Sequence, residues 1–378
     1  MDFYVGRNNL PDFLWECDKN YVRVIFITKL ISCYALHKLG YSPSWLAANA
    51  EFLKECKIKK VELVTFGKEH VEEAKKIGWE NYHQERVFVP ALPKDVKIWD
   101  LDYFAQNELG VAALDQGKLA GFLCYFSPWT KAFDTKNSSG TFSPLHANGA
   151  VKKNRYRIYQ DMYEEVSKRL ASQNVQILGV SLYAHDNESK FALFEYGFGM
   201  RCKDSILKIE NPDLAQIENK DLVFEELPLS EFPTVREFRR ELNEHLKEPP
   251  CFMQSDDKDF NQWIAKVEKG DRRTFVAKKN GRTIAYLDVA DEAENFVTFH
   301  PKMKNLQGAY CKPEYRGLKI IDDLLVYVSI LLKSEGIEYI GVDYESYNPA
   351  ANRFWTKHFM EYTNSLTRKI ELWCKDYN

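Results

Sequence analysis

No stretch of 18 uninterrupted apolar residues occurs in the 378-residue chain, so the sequence predicts no segment able to cross a bilayer as a helix. The densest apolar run, Tyr21 to Leu39, is broken by Arg23, Lys29, His37 and Lys38 and lacks a small-residue cleavage site, which argues against a secretory signal. Excess charge of either sign is missing too. Acidic residues number 55 against 52 basic, for a formal net charge of −3, which gives no field to recruit nucleic acid or an anionic membrane. Paired cysteines are also absent: the eight, at 17, 33, 56, 124, 202, 251, 311 and 374, never fall at the spacing of a metal knuckle or redox pair, and are expected as buried thiols. The eight histidines are dispersed. His146 and His185 are candidates to meet in space, but no pair shares a helix face and no metal site is expected. The expectation is a soluble, cytoplasmic protein without nucleic-acid or membrane partners.

What is present is enough apolar material, 45% of residues, for two compact cores. A repeat organises it. The run Gly110 to Leu114, the turn Asp115-Gln116-Gly117-Lys118 and the run Leu119 to Phe126 read as a hairpin. The same arrangement returns at Thr274 to Ala277, Lys279-Asn280-Gly281-Arg282 and Thr283 to Val289, with Gly117 and Gly281 164 residues apart. Phe142-Ser-Pro-Leu-His146 then precedes a helical pattern carrying Ile158, Tyr159, Met162, Val166 and Leu170. Its counterpart, Ala309-Tyr-Cys-Lys-Pro313, leads into Ile320, Ile321, Leu324, Leu325, Val328, Leu331 and Leu332. Strand-like runs follow at Gln176 to Tyr183 and Glu338 to Tyr344, then short helices entered at Asn187 and Asn348, 161 residues apart, with Asn a favoured N-cap. The expected class is α/β (α+β): one unit over residues 57–210, a second over 220–378, each with a mixed, mostly antiparallel, locally parallel sheet. Residues 1–56 have no counterpart in the repeat and carry a plausible helix from Ser44 to Cys56.

The residues Gly308-Ala-Tyr-Cys-Lys-Pro-Glu-Tyr-Arg-Gly-Leu-Lys-Ile320, followed by a long helix, resemble the acetyl-CoA-binding segment of the GCN5-related N-acetyltransferases, the GNAT superfamily. Gly341-Val-Asp-Tyr-Glu-Ser-Tyr-Asn-Pro-Ala-Ala-Asn-Arg-Phe-Trp355 looks like the family's next element, and Ala184 to Glu188 with Tyr196-Gly-Phe-Gly199 echo it in the first unit. The resemblance covers about residues 57–375 as a tandem pair of GNAT-like domains. It implies acetyl-CoA as co-substrate, held by Tyr310, Cys311, Arg316, Gly317, Leu318, Lys319, Ile320, Asn348 and Trp355, and direct attack of a primary amine on the thioester. A helix start suits the diphosphate because it leaves four amides unpartnered at the positive end of the dipole.

The turn departs from the family pattern. Lys319 and Ile321 occupy two small-residue positions, and Asp322 and Asp323 place acid in the first helical turn. In the first unit Val151-Lys-Lys-Asn-Arg-Tyr-Arg157 has no glycine-spaced turn, so that unit is expected to be structural or substrate-shaping and the second to be catalytic. Asp343 and Glu345, two apart on one strand face, are the candidates to hold a cationic amine and take its proton. Trp355 or Phe354 stands where the family places a tyrosine acid, which leaves Tyr344, Tyr347 or water for that role. Two functions fit: an N-acetyltransferase, or a binding or interaction protein that kept the fold and lost the chemistry. The acceptor and the oligomeric state are not specified by the sequence.

Overall fold

Each of the two hairpins turns on a pair of residues with positive φ. In the computed structural model, which describes residues 61–253, 257–291 and 294–370, Gln116 and Gly117 (φ 55° and 78°) join β2 (Gly110–Asp115) to β3 (Lys118–Cys124). Asn280 and Gly281 (φ 50° and 74°) join β10 (Arg272–Lys279) to β11 (Arg282–Ala290) in the same way. Two successive left-handed residues match the right-handed twist of the strands they connect.

The rest of the repeat follows in register. The first copy has β1 (Glu62–Thr65), α1 (Val71–Phe88), α2 (Asp102–Gln106), the hairpin, the short strands β4 (Trp129–Thr130), β5 (Ser139–Ser143) and β6 (Asn148–Ala150), α3 (Arg155–Ser172), β7 (Ile177–Tyr183), α4 (Asn187–Glu195) and β8 (Gly199–Lys208). The second has β9 (Val223–Glu226), α5 (Pro233–Lys247), α6 (Asp257–Glu268), the hairpin, β12 (Met303–Cys311), α7 (Ile320–Ser334), β13 (Tyr339–Glu345), α8 (Pro349–His358) and β14 (Met360–Lys369). Both long helices are entered through a left-handed residue, Asn154 (φ 60°) and Lys319 (φ 61°). The apolar stripe of α3 expected from spacing is buried in full, and that of α7 is buried except for Ile321 and Leu331, which pack half-exposed against the same core. Each buried Leu, Ile or Val on these faces contributes about 1.5–3 kcal/mol, so packing rather than helix propensity holds them.

Two features depart from the sequence reading. The third strand of the first copy is broken: β5 pairs with parallel β7, β6 pairs with antiparallel β3, and Pro144 with a short helical turn separates them. Proline carries no N–H for a ladder. In the second copy the single strand β12 does both jobs. The closing strands are also exchanged between copies: β8 pairs with β13, and β14 inserts between β7 and β8. The result is a ten-stranded sheet, β4-β5-β7-β14-β8-β13-β12-β11-β10-β9, beside a four-stranded sheet, β1-β2-β3-β6. The short helix of the first copy is capped one residue earlier than expected, by the Asp186 carboxylate rather than Asn187, whereas Asn348 caps α8 as read from sequence.

The expected helix at 44–56 lies outside the described residues, as do Cys17, Cys33, Cys56 and Cys374. Cys124 and Cys251 are buried free thiols, while Cys202 and Cys311 are half-buried. Among the described residues no helix is long and apolar enough to cross a membrane.

Candidate functional site

Strand β12 pairs with parallel β13 only from Met303 to Leu306, against Tyr339 to Val342. Gln307 is then an extra residue in the ladder to β11, which resumes at Gly308 opposite Asp288. Such a bulge bends and twists its strand. From there β12 stays with β11 to Cys311 while Asp343 to Glu345 stay with β8, so the two strands diverge. The facing main-chain edges of Gln307–Cys311 and Asp343–Glu345 therefore border a gap with no strand in it.

One lip of the gap runs into the turn before α7. Gly317 has φ 78°, and a Cβ built there would meet nothing within 4 Å. Among the described residues the N–H groups of Gly317 to Asp322 donate to no acceptor, and no side chain caps the helix. The acidic side chains of the first turn are already engaged. Asp322 pairs with Lys357 and with His358 (2.9 Å) at the end of α8. Asp323 accepts from the amides of Glu218 (3.0 Å) and Asn219 (2.9 Å) in the connector. Ile321 packs inward against two apolar clusters and leaves the amides uncovered. Lys319 adopts the left-handed conformation that glycine would take without cost, and its ammonium meets Glu218 at 2.6 Å. These amides suit a diphosphate, so the turn fits the group the sequence implies.

The other predicted cofactor residues divide. Leu318 is exposed beside Gly317, and Ile320 is buried beneath the helix start. Arg316 lies with its guanidinium 5.3 Å from the Tyr310 ring, and its Nε donates to the Cys311 carbonyl at 3.1 Å. Burial pushes the Cys311 thiol up to about 11, so it is no nucleophile at neutral pH. The Asn348 carbonyl oxygen is spent on the amides of Ala350 and Ala351 as an N-cap. Trp355 is buried against Phe354 and Phe359 in the core.

On the far lip, Asp343 opens to solvent in the depth of the gap. Desolvation among the surrounding atoms, then the charges of Glu294, Asp204 and Glu345, hold its carboxyl well above the usual range. Buried Asp204, directly across β8, is pushed up to about 7 by burial and by Glu294, against hydrogen bonds from Thr363 and Asn295 that pull it down. Tyr347 is raised to about 12 by burial and by Glu345, so its phenol keeps its proton. Tyr344 is buried, 3.4 Å from the Ser205 hydroxyl. At its base the gap narrows to about 10 Å³ between Asp204, Glu294, Gln307 and Asp343.

Sequence reasoning missed Asp204 and Glu294, because strand exchange brings the first and a loop the second. It also missed a polar group opposite the bulge. A Cβ on Gly308 would lie 3.2 Å from Arg239 Nη1, 3.3 Å from the Tyr286 hydroxyl and 3.4 Å from Asp288 Oδ2. His146 and His185 do not meet: His146 packs against Trp99 and Phe104, and burial lowers it to about 4, whereas His185 bonds Glu85.

In the first copy, side chains bond the end of the equivalent strand, β6. Asn81 Nδ2 donates to the Ala150 carbonyl at 3.0 Å, and Arg155 Nη2 donates to the same carbonyl and to Gln84 at 2.9 Å. Arg155 Nη1 also meets Asp186 at 3.2 Å.

Residues 236–359 match the sequence model of the acetyltransferase (GNAT) family. No curated protein matches the chain. Among solved structures, a GCN5-related glucosamine N-acetyltransferase region of a fungal multi-domain GH3 β-N-acetylglucosaminidase aligns at 14% identity and TM-score 0.46, over 82% of this chain and 38% of that one. A GCN5-related N-acetyltransferase from Sphaerobacter thermophilus aligns at 13% identity and TM-score 0.45, over 70% of this chain and 81% of that one. A tandem GNAT protein from the clavulanic acid biosynthesis pathway aligns at 10% identity and TM-score 0.43, over 82% of this chain and 98% of that one. The match to the acetyltransferase (GNAT) family falls within the second repeat.

Proposed function

We propose that the protein is an N-acetyltransferase that uses acetyl-CoA to acetylate a primary amine, with the gap between β12 and β13 as its active site. The observation that carries this reading is the divergence of those strands beside a helix start whose six amides, Gly317 to Asp322, have no partner among the described residues. Gly317 to Asp322 would hold the diphosphate, and the open edge of β12 would line the acyl arm. Bound acetyl-CoA supplies a thioester carbonyl open to direct attack. A main-chain N–H on the Gly308–Cys311 edge would polarise that carbonyl. The carboxylates Asp343, Asp204, Glu294 and Glu345 favour an acceptor that arrives as an ammonium ion. Asp343, with its proton affinity raised, takes the amine proton, with Glu345 beside it. Tyr347, protonated at neutral pH, would return a proton to the leaving sulfur.

The first repeat serves as a structural partner, because Asn81 and Arg155 already occupy the Ala150 carbonyl at the end of β6. A second reading, a binding protein that retains only the fold, draws support from Arg316, whose guanidinium is committed to Tyr310 and Cys311. Acetyl-CoA at about 100 times its dissociation constant should stabilise the native state by about 2.7 kcal/mol, and an amine panel scored by thiol release should then reveal turnover. A melting curve indifferent to acetyl-CoA excludes the enzyme reading. Binding without thiol release from any amine selects the binding protein.

A further inference from the structure

A cavity lies in the first repeat, away from the β12–β13 gap. It has a volume of about 380 Å³ and is walled by α1, the entry to α3 and the end of β7. Its surface is mostly apolar. On one side the rings of Phe88 and His185 stack nearly parallel, 4.8 Å apart with 5° between planes.

The donors and acceptors of the cavity wall are unequally used. Its carboxylates are largely spent. Glu85, 2% exposed, bonds His185 Nδ1 at 2.7 Å and accepts from the His185 amide at 3.2 Å. Asp186 accepts from the Ser189 amide and hydroxyl and pairs with Arg155. The unspent groups on the wall are nitrogens. Arg155 is 94% buried, and its Nε has no partner. Lys152 and His185 Nε2 have none among the described residues, and the first turn of α3 contains no acidic residue. Glu188, on the rim, is the exposed exception.

We propose that this cavity is a second ligand site, which takes a small monocarboxylate with a flat apolar body. The carboxylate answers Lys152 and the Nε2–H of the His185 tautomer whose Nδ1 accepts from Glu85, with the buried Arg155 guanidinium behind them, and the body lies along the Phe88–His185 face. Glu85, Asp186 and Glu188 on the same wall make a single negative charge cheaper to admit than the double charge of a phosphate.

The test is a titration of the full chain with benzoate, benzamide and inorganic phosphate, followed by the His185 ring resonances and by calorimetry. Benzoate is expected to saturate in the millimolar range and to bind about tenfold or more tighter than benzamide, since a hydrogen bond to a charged group is worth about 1.5–3 kcal/mol. Phosphate is expected to bind more weakly than benzoate. Substituting Arg155 breaks a buried ion pair and risks unfolding, so Lys152→Gln and Phe88→Ala, both at exposed positions, carry the argument. Each should weaken benzoate several-fold with the melting temperature unchanged, while Arg316→Ala in the other repeat should leave benzoate binding intact. Equal affinity for benzoate and benzamide, phosphate binding tighter than benzoate, or indifference to both substitutions overturns the proposal. None of these results bears on acetyl-CoA binding at the β12–β13 gap.

Discussion

Asp343 and Asp204 stand directly opposite each other on adjacent antiparallel strands, one from each repeat. Like charges so placed destabilise a strand pair, and buried Asp204 has nowhere to move. The arrangement persists because at least one member of the group carries a proton, and a carboxyl in that state is also suited to exchange protons with an amine.

The sign of the resulting pH dependence follows. Asp204 titrates at about 7 in the folded protein, against about 3.9 in an unfolded chain. Between those values the folded state binds more protons, so stability present below about pH 4 is lost as pH rises through about 7. The melting temperature should therefore fall between about pH 5 and 8, and Asp204→Asn, which keeps an oxygen for Thr363 and Asn295, should flatten the fall. A wild-type profile that rises across this range would contradict the shared-proton arrangement. Asp343→Asn should also raise the melting temperature at about pH 8, while lowering acetyl transfer by about 100-fold or more.

Gly317 and Gly281 offer a matched pair. Both have φ between 70° and 80°, and neither would place a Cβ within 4 Å of another atom. Alanine at either position should cost about 1–2 kcal/mol for the left-handed conformation alone. Acetyl-CoA affinity should fall only for Gly317→Ala, where the new methyl group meets a diphosphate rather than water. Equal affinities for the two variants, read by calorimetry, would remove Gly317 from the cofactor site.

Much of this was legible in the sequence, for a reason particular elements make plain. The turns at Gln116-Gly117 and Asn280-Gly281, the stripe Ile158 to Leu170 and the Asn348 cap are all fixed by local chemistry, and each appears where spacing puts it. What sequence could not show depends on long-range partners. That β14 leaves β13 for β7 and β8 is a choice between strands of similar pattern. Asp204 is silent until β8 lies beside β13. Lys319 looked incompatible with a glycine position because backbone angle is not written in a side chain. Asp322 and Asp323 read from sequence only as acid in the first helical turn, because the groups that engage them lie 35 and 105 residues away.

The strand exchange makes its own prediction about autonomy. Leu366 of β14 is fully buried in the apolar cluster of the first repeat, alongside Met162, Val166 and Val180. Residues 61–210 expressed alone would therefore leave β7 and β8 with open edges and a hole where Leu366 belongs, conditions that favour aggregation over folding. That fragment should be insoluble or molten by itself and should recover cooperative unfolding when co-expressed with residues 211–378. Within the intact chain, Leu366→Ala should cost about 2–5 kcal/mol and loosen the first repeat as much as the second, read as loss of amide protection in β7. A fragment 61–210 that is monomeric and melts cooperatively would show that the first repeat completes its own sheet, and the mutual dependence inferred from the β7–β14–β8 pairing would fail.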